Sequence, residues 1–102
     1  MTTEQKIQYI ADHYGYEPQS GQLIEEMAEL TVALNKAWRK IFDTVDKIPN
    51  MDDEERIVEE ITDVEIMITQ IEYLFGVSAM KLNNMIEQKL DRQIERIKNA
   101  VH

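Results

Sequence analysis

Apolar residues recur along this chain every three or four positions and nowhere alternate one by one, which predicts helices and no strands. From about Thr3 to His13, Ile7 and Ile10 share one side of a short helix. From about Ser20 to Phe42, Leu23, Met27, Leu30, Leu34, Ala37 and Ile41 keep the rhythm of an amphipathic helix, with Ser20 expected as its N-cap. From about Asp52 to Phe75, Ile57, Ile61, Val64, Ile68, Ile71 and Phe75 repeat that rhythm. Asp52 or Asp53 is expected to cap this helix, and Gly76 to terminate it. Beyond Ser78, a further cap, come Leu82, Ile86, Leu90, Ile94 and Ile97. Gly15, Pro18 and Gly21 cluster before the second helix, and Pro49 falls between the second and third. The reading is a single all-α domain over residues 1–102, a central antiparallel helical hairpin with a helix on each side.

Inside the two central helices the chain writes nearly the same word twice. "LIEEMAEL" (Leu23 to Leu30) is answered thirty-four positions later by "IVEEITDV" (Ile57 to Val64). At about 100° per residue, Glu26 lies about 60° and Glu29 about 120° to one side of Leu23. Glu60 and Asp63 take the same two angles from Ile57, whereas Glu25 points about 160° away from Leu23. Each helix therefore carries an i, i+3 pair of carboxylates on the shoulder of its apolar stripe, with Met27 and Met67 as core fillers. Packed stripe to stripe, the helices bring four carboxylates together. Their repulsion calls for protons, basic side chains or a cation. An all-oxygen ligand set suits a hard ion, magnesium first and manganese next. A lone EExxE word would more readily be a solvated helix face, since Glu is a strong helix former. A di-iron bundle also gathers Glu from facing helices but uses Glu-x-x-His, which is absent here; the histidines are His13 and His102.

Composition narrows the function. Twenty acidic against eleven basic residues give a net charge of −9, contrary to the basic stripe of a nucleic-acid binder. Without cysteine there is no disulfide framework or thiolate site. No apolar run reaches the ~20 residues that span a bilayer, and "MTTEQKIQYI" lacks the pattern of a signal peptide, so a cytoplasmic protein is expected. With 102 residues the core is small, and oligomerisation is the expected supplement.

"EEMAE" followed by "EITD" resembles the EExxE…ExxD signature of MazG-like proteins in the all-α nucleoside triphosphate pyrophosphohydrolase superfamily. The resemblance covers most of the chain, although the thirty residues between Glu29 and Glu60 slightly exceed the spacing of many members. It implies a four-helix fold in an oligomeric bundle, a dimer or tetramer. It also implies magnesium-dependent hydrolysis of a nucleoside triphosphate, commonly a deoxynucleotide, to monophosphate and pyrophosphate, as house-cleaning of the nucleotide pool. By position, Glu26, Glu29, Glu60 and Asp63 would bind the metal, and Glu25 would serve a second metal or orient the attacking water. Such chemistry needs positioning and charge stabilisation rather than a nucleophilic Ser or Cys.

On the fourth helix Lys89, Gln93 and Arg96 share a side and look similar to a Lys…Asn…Arg pattern that contacts nucleotide in such proteins, with Gln93 where Asn is usual. Lys36 and Lys40 continue the acidic side of the second helix and reach towards distal phosphates or pair with nearby acids. Gln19 and Gln22 are amides suited to a base edge, and Tyr14 and Tyr16 are rings that can stack on one. Trp38 is expected in packing, and His13 at an exposed helix end. Two other readings remain: a nucleotide- or metal-binding regulator without turnover, and a helical interaction protein whose acids are only solvated.

Overall fold

A computed structural model of the chain is all-helical, and it describes residues 1–43 and 51–100, with only the backbone of 40–43, 51 and 52. Four helices follow in order: α1 (Thr3–Tyr14), α2 (Tyr16–Asp43), α3 (Met51–Phe75) and α4 (Ala79–Ala100). The expected connection around Pro49, the Asp52 cap and the packing of Lys40 and Ile41 lie outside the described residues or side chains.

Local chemistry sets the ends. Thr2 caps α1 through its side chain, and Gln5 returns the bond to the Thr2 backbone, a reciprocal pair that satisfies two N-terminal donors. Gly15, at φ +83°, is the whole connection between α1 and α2. The second helix therefore starts at Tyr16, and Ser20 is not its cap. Ser20 lies one turn inside, its hydroxyl donating to the Glu17 carbonyl at 2.9 Å. Pro18 is tolerated because first-turn N–H groups have no intrahelical acceptor. Asp53 likewise lies within the first turn of α3 rather than ahead of it. At the end of α3, Gly76 (φ +67°) ends the helix as its sequence position predicts: the Val77 N–H donates to the Glu72 carbonyl at 2.9 Å and the Gly76 N–H to the Tyr73 carbonyl at 3.0 Å. The Ser78 side chain then accepts from the Lys81 N–H, the expected cap of α4.

α2 and α3 make the most extensive contact, and α1 packs on α3 and less on α2. The hairpin is antiparallel: Gln19 meets Gln70, and Glu26 meets Glu60 and Asp63. On α2 positions 19, 23, 26, 30, 33 and 37 are all buried or half-buried, as are 53, 57, 60, 64, 67, 71 and 74 on α3, with Ser20, Gln22, Asp63, Gln70 and Glu72 buried or half-buried beside them. That alternation of three and four is the spacing of a helix seam. It is not centred on the predicted stripe. The seam lies about 40° towards the acids from Leu23, so Glu26 and Glu60 are in it. Met27 and Leu34, expected inside, are 43% and 48% exposed, and Ile61 and Ile68 are also uncovered. The buried apolar centre is small: Ala11, Ala33, Ala37, Val64 and Met67.

α4 does not flank the hairpin as expected. Among the described residues its backbone packs against none of the other helices, while Ala79 and Leu82 in its first turn border a groove with α1 and α3. Along α4, Met85, Ile86, Leu90, Ile94 and Ile97 are all exposed. The radius of gyration is 17.7 Å, whereas a compact chain of this length has about 13 Å. The accessible surface of 8480 Å² likewise exceeds the roughly 6000 Å² of a compact monomer of this mass. No helix is long and apolar enough to cross a membrane among the described residues.

Two amides hold the α1 end of the hairpin. Gln70 is the most buried large side chain, at 2% exposure; its Oε1 accepts from Gln19 Nε2 at 2.7 Å, and its Nε2 faces Met67 Sδ at 3.7 Å. Nearby, the Tyr73 hydroxyl bonds both carboxylate oxygens of Asp12 at 2.8 and 2.9 Å, tying α1 to α3 and raising the tyrosine pKa. Q70L leaves the buried Gln19 amide without an acceptor and should cost about 1–3 kcal/mol in a urea titration. Q19L/Q70L should recover most of that loss, because neither polar group then remains.

Candidate metal centre

Glu26 and Glu29 on α2 face Glu60 and Asp63 on α3, about two turns beyond the Gln19–Gln70 pair. One carboxylate oxygen each from Glu26, Glu60 and Asp63 lies within 4.8 Å of the others, and all three residues are half-buried. Gln22, one turn before Glu26, donates its amide to Glu26 Oε1 at 2.8 Å. The other oxygen, Glu26 Oε2, is buried with no hydrogen-bond partner among the described residues, as is Glu60 Oε2. Buried carboxylate oxygens without a donor are costly, since water has been removed and nothing has replaced it.

Glu29 stands on the exposed rim of this cluster. Its pKa is raised, first by the neighbouring Glu26 charge, then by partial loss of water, by a hydrogen bond with Glu26, and by Glu60 and Glu25. Glu25, which points away from the helix seam, nevertheless lines a groove with Glu29 and Glu60. That groove, of about 340 Å³, runs between α2 and α3 towards their connection. Ala28, Val32 and Ala33 floor it, and Lys36 and Arg56 line its far end. Small floor residues let the two helices flank an open channel here.

The structure thus brings Glu25, Glu26, Glu29, Glu60, Asp63 and Lys36 to one region. It does not bring Lys89, Gln93 or Arg96 there within one chain. These line a trough of about 430 Å³ along α4, with Ile86, Leu90 and Arg92, and no α4 residue lines the acidic groove. Gln22 orients Glu26, and Gln19 is buried in its bond to Gln70. Tyr16 sets its ring edge against Phe75 (centroids 5.1 Å apart), and Tyr14 does so against His13 at 4.7 Å; both tyrosines are exposed. Trp38 is 60% exposed, so the packing expected of it is not core packing in this chain. Arg56 escaped the sequence reading. Its signal was available: it precedes Glu60 by four residues, as Gln22 precedes Glu26 in the matching word.

The residues fit a hard divalent cation. The donors are all carboxylate oxygens, and two buried ones lack any other partner. Because the Glu29 pKa is raised on folding, the native chain holds a proton over a range where the unfolded chain has lost it. That stability is complete below the ordinary Glu range of about pH 4 and is lost as the pH rises through the raised value. In chelator, E29Q and the parent chain should have similar urea midpoints below about pH 4, and E29Q should become the more stable of the two as the pH rises to neutrality. No known protein family, curated protein or solved structure matches this chain.

Proposed function

We propose that this chain is a magnesium-dependent nucleoside triphosphate pyrophosphohydrolase of MazG-like type, acting on deoxynucleotides and clearing surplus or non-standard ones from the pool. The observation that carries this reading is the meeting of Glu26, Glu60 and Asp63 from the two acidic words, with orphaned buried oxygens on Glu26 and Glu60. Glu29 would complete the metal-binding set. Manganese can substitute, since the same oxygen donors suit both ions.

The bound cation supplies charge neutralisation at the phosphoryl oxygens and acidifies water. The chain's own groups do the rest. Gln22 fixes the orientation of Glu26 through its 2.8 Å bond. Glu25, exposed on the groove wall, receives the proton of the attacking water. The water oxygen bonds to the α-phosphorus, the bond from that phosphorus to the bridging oxygen breaks, and pyrophosphate leaves with the electron pair. E26Q or D63N should reduce pyrophosphate release to background while the protein stays folded; turnover retained in both variants would refute the assignment. Magnesium should raise the stability of the parent chain, by about 2.7 kcal/mol at a hundredfold excess over its Kd, and that of E26Q far less. Stabilisation by magnesium and nucleotide without turnover would instead favour a regulator.

The assembly is part of the proposal. α4 carries an uncovered apolar stripe, and Ile24, Met27, Leu34 and Trp38 on α2, with Val58, Ile61 and Ile68 on α3, form exposed apolar surface on the hairpin. One chain thus presents both halves of a contact it does not make with itself. Charge agrees: α4 has five basic and three acidic residues, the remainder of the chain six and seventeen. The surplus surface, about 2500 Å² over a compact monomer, is ample for an interface that needs about 800 Å² per partner. The occupant of the α4 stripe is therefore a second copy, in a homodimer or homotetramer. Only there can Lys89, Gln93 and Arg96 approach substrate phosphates. Light scattering should give a multiple of the 12.0 kDa chain mass, and L90E/I94E should reduce it to that of one chain. A monomeric parent protein would sink this part of the proposal.

A further inference from the structure

The acidic groove has a direction. Its carboxylates, Glu25, Glu29 and Glu60, stand at one end, and its two cations, Lys36 and Arg56, at the other. Lys36 follows Glu29 by seven residues on α2, and Arg56 precedes Glu60 by four on α3. Because the helices are antiparallel, both displacements point towards the α2–α3 connection. The offsets are about 10 Å along α2 and about 6 Å along α3. The shorter of these spans roughly two phosphoanhydride links.

The two acidic words differ at a telling place. Gln22 and Arg56 occupy equivalent positions, each one turn before a seam glutamate. Gln22 spends its amide on Glu26. Arg56 makes no such bond to Glu60, whose Oε2 remains without a partner, and among the described residues neither Arg56 nor Lys36 is engaged in an ion pair. A guanidinium one turn from a carboxylate, lining an open groove instead of pairing, is placed for an anion that arrives later. Arginine's planar fork matches the oxygens of a phosphate, and lysine adds a mobile charge beside it. The groove's volume of about 340 Å³ is near the lower bound of ligand pockets and is enough for a phosphate chain.

Resting on the metal-centre reading above, we propose that Arg56 and Lys36 seat the distal phosphates of the substrate. The groove then takes a polyphosphate lengthwise, its metal-held end at Glu26, Glu60 and Asp63 and its tail towards the α2–α3 connection. The nucleoside leaves the groove at the opposite end, by the start of α2. Arg56 is on this account a specificity-determining residue that favours triphosphates over monophosphates.

The test uses the full chain, with manganese and inorganic tripolyphosphate as probes in calorimetric titrations. R56Q should weaken binding of metal-loaded tripolyphosphate at least tenfold and K36Q by a smaller factor, with R56K intermediate. Manganese affinity without tripolyphosphate should stay within twofold in all three variants, which also shows that they are folded. A nucleoside monophosphate should bind the parent chain and R56Q alike. Tripolyphosphate binding unchanged by R56Q would overturn the inference, as would a nucleoside that binds as tightly without its phosphates. A parent chain that binds manganese but not tripolyphosphate overturns this inference alone, whereas one that binds no manganese overturns the metal-centre reading together with it.

Discussion

Two carboxylates, Glu26 and Glu60, occupy places in the α2–α3 seam that heptad spacing otherwise gives to apolar side chains, and the resulting repulsion is the constraint to which the surrounding structure responds. Gln22 relieves one oxygen of Glu26. The Glu26 carboxylate beside Glu29 favours the protonated form of Glu29. Two buried oxygens remain without any donor among the described residues. On either side of this weak point the seam is reinforced, by Ala33, Ala37, Val64 and Met67 and by the Gln19–Gln70 amide pair. These are small contributions. A core of this size leaves little margin for a half-buried acidic cluster, so the hairpin gains from any cation or contact that the isolated chain lacks.

The helices were largely legible in the sequence because period and punctuation are local properties. Gly76 and Ser78 mark an end and a start through bonds to their near neighbours, and these form as expected. The acidic words were legible for the same reason: a fixed angle per residue carries Glu26, Glu60 and Asp63 to one side wherever the helices pack. The start of α2 was not, since a single left-handed Gly15 suffices to turn the chain and leaves Pro18 and Ser20 inside the helix.

The position of the seam was the larger miss, and its cause is physical. A helical wheel finds the mean direction of all apolar residues. In α2 that mean combines the face turned to α3, with Ala33 and Ala37, and a second face with Met27, Leu34 and Trp38 that α3 does not cover. The wheel therefore points between them, and the glutamates look like shoulder residues when they belong to the seam. The same averaging hid the separation of α4. Its stripe is as regular as those of α2 and α3, and regularity says only that something covers it, not that its own chain does. Arg56 was overlooked for another reason: attention to repeated residues passes over the positions where the two words diverge.

The detached α4 has a consequence for how this protein behaves on dilution. A lone helix of twenty-two residues is only marginally ordered in water, whereas α1, α2 and α3 support one another. In the proposed oligomer, order in the last fifth of the chain depends on how many copies are nearby. In a dilute sample the hairpin would persist while α4 frays, and its amide protons would exchange long before those of the seam. Crowding the copies together would knit α4 back without altering a residue.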